Sequence, residues 1–184
     1  MNFIPQLIND LILIKPTIHE DSRGYFAETF RQNLFEGAVG YKVDFIQDNE
    51  SQSIKGVLRG LHYQLPPYAQ SKLVRVVKGR VLDVAVDIRK SSPTFGQHVA
   101  VELTEENNHQ LFIPRGFAHG YVVLSESATF SYKVDNYYSQ NFDHGIAFDD
   151  PKLGINWCLP LPDLLLSDKD KKHPKLIISS HLFD

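Results

Sequence analysis

Ten short runs rich in β-branched and aromatic residues, separated by glycine, proline, asparagine and aspartate, recur along this chain of 184 residues. They fall at 11–14, 25–29, 45–51, 57–62, 73–77, 81–88, 98–103, 110–113, 120–124 and 129–134. Branched and aromatic side chains pack well on a pleated surface, so each run reads as a strand. Only two stretches compete as helices. In 32–39, Leu34 and Phe35 would face inward; in 167–172, Ser167 stands as an N-cap with Asp168 and Asp170 in the first turn. Strand and long helix never alternate, which favours an antiparallel sandwich or jelly-roll barrel over a parallel sheet. The expectation is an all-β fold with short peripheral helices. An apolar share of 42% over this length suits one domain, 1–184, with a barrel core at about 45–135, an N-terminal arm and a C-terminal segment. From Pro151 onward that segment is expected to wrap the barrel or close its mouth.

Charge and composition remove several function classes. Nineteen basic and 22 acidic residues leave a net charge of −3, which offers no electrostatic footprint for duplex nucleic acid. A single cysteine, Cys158, excludes an intramolecular disulfide and a zinc-binding cysteine cluster. No apolar run approaches the roughly 20 residues of a membrane span. The run Leu11-Ile12-Leu13-Ile14, flanked by Asp10 and Lys15, lacks the shape of a signal peptide. The expected setting is the cytoplasm, without nucleic-acid or membrane partners.

The period of two along a strand shows which side chains share a face. In 81–88, Asp83, Ala85 and Asp87 point one way and Leu82, Val84, Val86 and Ile88 the other. Asp87 reads as an outer or strand-end residue, and Asp83 is equally placed for a wet cavity or the outer face. Lys72, at a strand start, either lines a cavity or caps the strand. Tyr132 shares a face with Phe130 and turns inward if Phe130 does. Strict alternation would send Arg59 and His62 to opposite faces, but Gly60 between them permits a bulge that reunites them.

Two segments carry the chemistry: Val57-Leu58-Arg59-Gly60-Leu61-His62-Tyr63-Gln64 and Ile113-Pro114-Arg115-Gly116-Phe117-Ala118-His119-Gly120. The second resembles the latter half of the cupin barrel pattern, whose histidine usually binds a metal. The first half of that pattern normally brings two further histidines and a glutamate, whereas here His62-Tyr63-Gln64 is followed by Lys72. Two histidines fall short of the three or four ligands a transition metal commonly takes, and a lysine cation nearby opposes one further. Gln64 stays open as an unusual ligand. The remaining equipment is a histidine titrating near neutrality, a lysine able to hold an oxyanion and a tyrosine able to donate a proton, which together suit enolate chemistry.

Read as a whole, the chain resembles the dTDP-4-dehydrorhamnose 3,5-epimerase family of metal-free, cupin-type jelly rolls. The matching stretches run in order: Asp21-x-Arg23-Gly24-x-Phe26-x-Glu28, Phe45-x-Gln47-Asp48-Asn49, the Arg59–His62 segment, Gln70-x-Lys72-Leu73-Val74-Arg75, Asp83 to Arg89, Ser92-Pro93-Thr94-Phe95-Gly96, the His119 segment, Tyr132-Lys133 and Ser167-x-Lys169-Asp170. The resemblance implies that His62 is the general base, Asp170 its orienting partner, Lys72 the stabiliser of the C4 oxyanion with Asp83 supporting it, and Tyr132 the opposite-face proton donor. It implies that Arg59 and Arg23 bind the diphosphate and that Gln47, Asp48 and Asn49 hold the nucleotide. His119, Asp143 and Lys169 would lie near the sugar or pyrophosphate. Arg23, Phe26 and Glu28 would sit on an arm that reaches a neighbouring subunit's site, making a homodimer. Neither cofactor nor metal is implied. A single-carbon epimerase would use nearly the same residues. A metal-dependent cupin oxygenase and a non-catalytic sugar-nucleotide-binding cupin are the readings from other classes.

Overall fold

The computed structural model describes residues 1–8 and 10–184. Two antiparallel sheets carry the fold. One has six strands in the order β1 (Asn2–Pro5), β2 (Ile12–Lys15), β10 (Gln110–Ile113), β7 (Lys72–Lys78), β12 (Ser127–Val134) and β5 (Gln47–Ile54). The other has five, in the order β13 (Asp143–Gly145), β6 (Leu58–Gln64), β11 (Phe117–Val123), β8 (Arg80–Asp87) and β9 (His98–Thr104). A separate hairpin pairs β3 (Ile18–Asp21) with β4 (Gly24–Ala27). This is the all-β, cupin-like jelly-roll architecture expected from the strand pattern.

Alternation sorts the side chains into three layers. Between the sheets lie Val74 and Val76 of β7, Val81 and Ala85 of β8, Leu111 and Ile113 of β10, and Phe130 of β12. The outer face of the five-stranded sheet, with Leu82, Val84, Val86 and Ile88, is sealed by Leu153, Trp157, Leu164 and Leu176. The C-terminal segment therefore wraps the sheet. Outside the six-stranded sheet, helix α1 (Gln32–Val39) drives Phe35 against Phe30, Phe45 and Phe112, with ring centroids 4.9–5.6 Å apart. Each fully buried Phe or Leu contributes about 1.5–3 kcal/mol.

Several sequence expectations need correction. Within α1 only Phe35 is buried, and Leu34 is 41% exposed. The expected helix at 167–172 is a single 3₁₀ turn, Asp170–Lys172. Ser167 Oγ accepts the Asp170 N–H at 3.1 Å, but the cap position of the turn is Lys169, which makes no side-chain cap, and Pro174 holds His173 extended (φ −64°, ψ 142°) and stops propagation. The strands β1, β3 and β13 are short and polar or proline-bearing, so composition hid them. Asp87 ends its strand as expected, yet it is fully buried rather than outward. Its carboxylate accepts from Arg89, Ser92 and Thr94 at 2.6–2.9 Å. The alternation grouped the right residues, but the acidic face of β8 is the inner one.

Candidate active site

The register of β6 against β11 sets the site. His62 stands opposite His119 and Arg59 opposite Tyr121, so Gly60 and Leu61 together face the single Gly120. This bulge keeps Leu58, Leu61 and Tyr63 in the outer apolar layer while turning His62 to the cavity and Arg59 to Ser53 on β5. Gly60 has φ of +140°, and a Cβ there would lie 2.6 Å from Gly120 Cα, so only glycine fits.

A cavity of about 280 Å³ opens between the sheets, lined by Gln47, Asn49, His62, Tyr63, Gln64, Gln70, Lys72, Tyr132, Tyr138 and Asp143. It gathers Gln47, Asn49, His62, Lys72, Tyr132 and Asp143 from the residues expected at the site. A larger hollow of about 710 Å³ beside α1 contains none of them, and its Arg89 and Arg115 are already paired with Asp10, Asp87 and Asp135. The chemistry belongs to the smaller cavity.

His62 comes from the five-stranded sheet, and Tyr132 and Lys72 come from the six-stranded one. Tyr132 pairs with Val74 on one side and Asn49 on the other, while Val134, two residues on, pairs with Lys72. Tyr132 packs inward beside Phe130, at 6.1 Å between ring centroids. His62 Nε2–H donates to Asp170 Oδ1 at 2.6 Å, leaving Nδ1 as the atom able to take a proton. Burial pushes the Asp170 carboxyl up, but the His173 and His62 imidazoles outweigh it and hold the group well below the usual carboxylate range. Burial pulls Lys72 down to about 8, with the charges of Asp143 and Asp83 opposing. Burial raises the Tyr132 phenol, which therefore keeps its proton at neutral pH; Arg59 moderates the effect.

Asp83 was expected to support Lys72. Its hydrogen bond goes instead to His119, whose Nε2–H donates to Oδ2 at 2.8 Å, and only its charge reaches Lys72. Both lie behind the cavity wall, Asp83 fully buried and His119 7% exposed. Burial lowers the His119 imidazole below its ordinary value, so it is a neutral donor. The two histidines of the barrel pattern thus turn to different carboxylates. Gln64 is likewise committed: it donates to the carbonyls of Tyr68 and Tyr137 and accepts from Ser139 N–H.

Asp143, on β13, accepts from Tyr138 Oη at 2.9 Å and pairs with Lys169, joining the cavity rim to the turn that carries Asp170. Asp48 points to the opposite face of β5 and pairs with Lys133 at 2.8 Å, outside the cavity. Arg23, Phe26 and Glu28 are also outside, on or just beyond the exposed hairpin; the Arg23 side chain is 88% exposed and pairs with Asp21. Sequence reasoning missed Tyr138 and His173, and it matched Gln70 to the family pattern without giving it a role. The exposed Tyr137-Tyr138 pair was the available signal for the first, and nothing local marked His173.

Comparison with known proteins agrees with this geometry. Residues 5–177 match the family model described as dTDP-4-dehydrorhamnose 3,5-epimerase. The enzyme of that name from Shigella flexneri is 56% identical over 177 residues, covering 96% of this chain and 97% of that protein. The crystal structure of the dTDP-6-deoxy-D-glucose-3,5-epimerase of Legionella pneumophila in complex with dTDP-4-keto-L-rhamnose aligns with a TM-score of 0.95 at 47% identity, covering 99% and 97% of the two chains. A 3'-monoepimerase from Streptomyces bikiniensis in complex with dTDP-quinovose aligns with a TM-score of 0.87 at 36% identity, covering 94% and 87%. A family match along almost the whole chain, and a cavity walled by an imidazole, a phenol and an ammonium, place this chain in the dTDP-4-dehydrorhamnose 3,5-epimerase family, as a carbohydrate epimerase.

Proposed function

We propose that the cavity epimerises dTDP-4-dehydro-6-deoxy-D-glucose at C3 and C5, giving dTDP-4-dehydro-L-rhamnose for dTDP-rhamnose synthesis. The observation that carries this reading is the placement of His62 and Tyr132 on opposite sheets around one cavity, with Lys72 beside Tyr132. His62 Nδ1 removes the proton next to the C4 ketone, and the resulting imidazolium is stabilised by the ionised Asp170. The Lys72 ammonium holds the negative charge that develops on the C4 oxygen. Tyr132 then delivers a proton to the other face of the planar enolate, inverting the carbon. Asp83 and His119 act behind the wall, keeping a negative charge near Lys72. Arg59 supplies a forked cation for the diphosphate, Gln47 and Asn49 hydrogen-bond the nucleotide, and the Asp143–Lys169 pair borders the sugar.

The same reading makes residues 1–184 one epimerase domain and the working unit a homodimer. Its support is the exposed hairpin, where Tyr25 is 62% and Phe26 70% exposed while Arg23 lies outside its own chain's cavity. In a dimer Arg23, Phe26 and Glu28 would complete the neighbour's site. No helix among the described residues is long and apolar enough to cross a membrane. The reading places the enzyme in the cytoplasm.

Incubation with the keto-sugar in deuterated water tests the reaction. Deuterium at both C3 and C5 is the expected result. Label at one carbon alone would make the enzyme a single-carbon epimerase, and label at neither would remove the assignment.

A further inference from the structure

His173 stands beside Asp170 near the cavity and takes no direct part in this mechanism. Its side chain is 9% exposed, and its Nε2 has no hydrogen-bond partner among the described residues. That nitrogen lies 3.5 Å from Asp170 Oδ1, the same oxygen that His62 Nε2 approaches to 2.6 Å. The three ligand atoms lie within 4.8 Å of one another, and the two rings stand edge to face at 77° with centroids 5.5 Å apart. Room for the second ring depends on Gly145, which pairs with His62 across β13 and β6. A methyl group at Gly145 would collide with His173 Nε2.

Two imidazole nitrogens and one carboxylate oxygen form a donor set suited to a borderline divalent ion, with metal–ligand bonds of about 2.0–2.2 Å. The 2.6 Å His62–Asp170 contact must widen to about 3.3 Å to admit one, close to the 3.5 Å at which His173 already stands from the same oxygen. The third coordinating group is already buried, makes no hydrogen bond through Nε2 among the described residues, and stands 3.5 Å from the shared oxygen. Asp170 and its ionised charge supply the anionic ligand.

We propose that His62, Asp170 and His173 form a site for a divalent transition-metal ion of the Zn2+ class, and that filling it turns the enzyme off. In the active form His62 carries its proton on Nε2 and offers the Nδ1 lone pair to substrate. To bind the ion, Nε2 gives up that proton and donates its lone pair to the metal, while Nδ1 takes a proton from solvent. The ring stays neutral, no net proton is released, and the atom that abstracts the substrate proton is blocked. The inhibition rests on the reading of His62 as the base; the binding does not.

The test uses the full chain with Zn2+ and Co2+. Metal binding is measured by calorimetry and by Co2+ visible absorption, and turnover by deuterium exchange with and without a chelator. The wild type should bind one ion at this site and lose exchange, which the chelator restores. His173→Ala should weaken binding at least about tenfold and lift the inhibition, read as the ratio of its exchange rate with metal to its own rate in chelator. His173→Leu, closer in volume, repeats the comparison if alanine impairs folding. The His144 and His181 rings lie 4.5 Å apart and offer a competing pair, so His181→Ala should leave both readouts unchanged. Binding and inhibition that survive the loss of His173, or that disappear with His181, would overturn the site. Binding that requires His173 but leaves exchange intact would instead overturn the inhibition, and with it the role given to His62.

Discussion

His62 and Tyr132 line one cavity from opposite sheets, the imidazole on β6 and the phenol on β12. Stereochemical inversion needs a base on one face of the enolate and an acid on the other. A two-layer sandwich supplies two facing walls, and each contributes one partner. The imidazole is oriented by Asp170 and the phenol keeps its proton because it is buried.

His62→Ala should reduce deuterium wash-in at both carbons by at least about 100-fold, the usual contribution of a general base. dTDP binding, measured by calorimetry, should be retained, because the phosphate-binding cations remain. Exchange near the wild-type rate would remove His62 from its role.

Tyr132→Phe should separate two events that the native enzyme couples. Proton abstraction by His62 continues, so wash-in persists at a reduced rate, while delivery to the opposite face fails and net inversion falls. Product analysis beside the exchange measurement checks this, and unimpaired inversion would exclude Tyr132 as the donor.

Lys72→Met should abolish turnover and stabilise the fold. The folded pKa of about 8 lies below the ordinary 10.5, so the folded protein holds this proton less tightly than the unfolded chain does. The charged lysine therefore costs stability below about pH 8, and that cost is relieved as pH rises toward 10.5. With allowance for cavity water, removing the charge should gain about 1–2 kcal/mol at pH 7 by denaturant unfolding. In the native enzyme kcat/KM should fall as pH rises through about 8, where the oxyanion loses its partner.

Asp87→Asn tests the buried network at the end of β8. Burial raises this carboxyl, but hydrogen bonds from Arg89, Ser92 and Thr94 prevail and bring it to about 2, below the ordinary 3.8. Its stabilisation is full above pH 3.8 and is lost as pH falls through about 2. The substitution should cost about 1–2 kcal/mol at pH 7, with the difference from wild type constant down to about pH 5 and shrinking below about pH 4. Thermal unfolding at a series of pH values measures it.

How much of this was legible in the sequence depends on the range of each interaction. Gly60 announced the bulge that brings Arg59 and His62 to one side, and Phe130 correctly predicted the inward turn of Tyr132, because both are relations within a single strand. Alternation also grouped Asp83 with Asp87, but it could not say which face was inner. Both faces of β8 are buried, one by the opposite sheet and one by the C-terminal segment. Asp170, Asp143 and Lys169 came only from the family resemblance, since their partners lie far off along the chain. Tyr138 and His173 reach the site through a loop and a one-turn stop before proline, which carry no periodic signal.

The C-terminal wrap has a consequence for biosynthesis. It seals the back of the sheet that carries His62 and also delivers Asp170, 108 positions later in the chain. A ribosome must therefore add that entire stretch before the imidazole acquires its partner. A nascent chain emerges with its walls partly built and its base unaligned, and catalytic competence waits until Asp170 has been added.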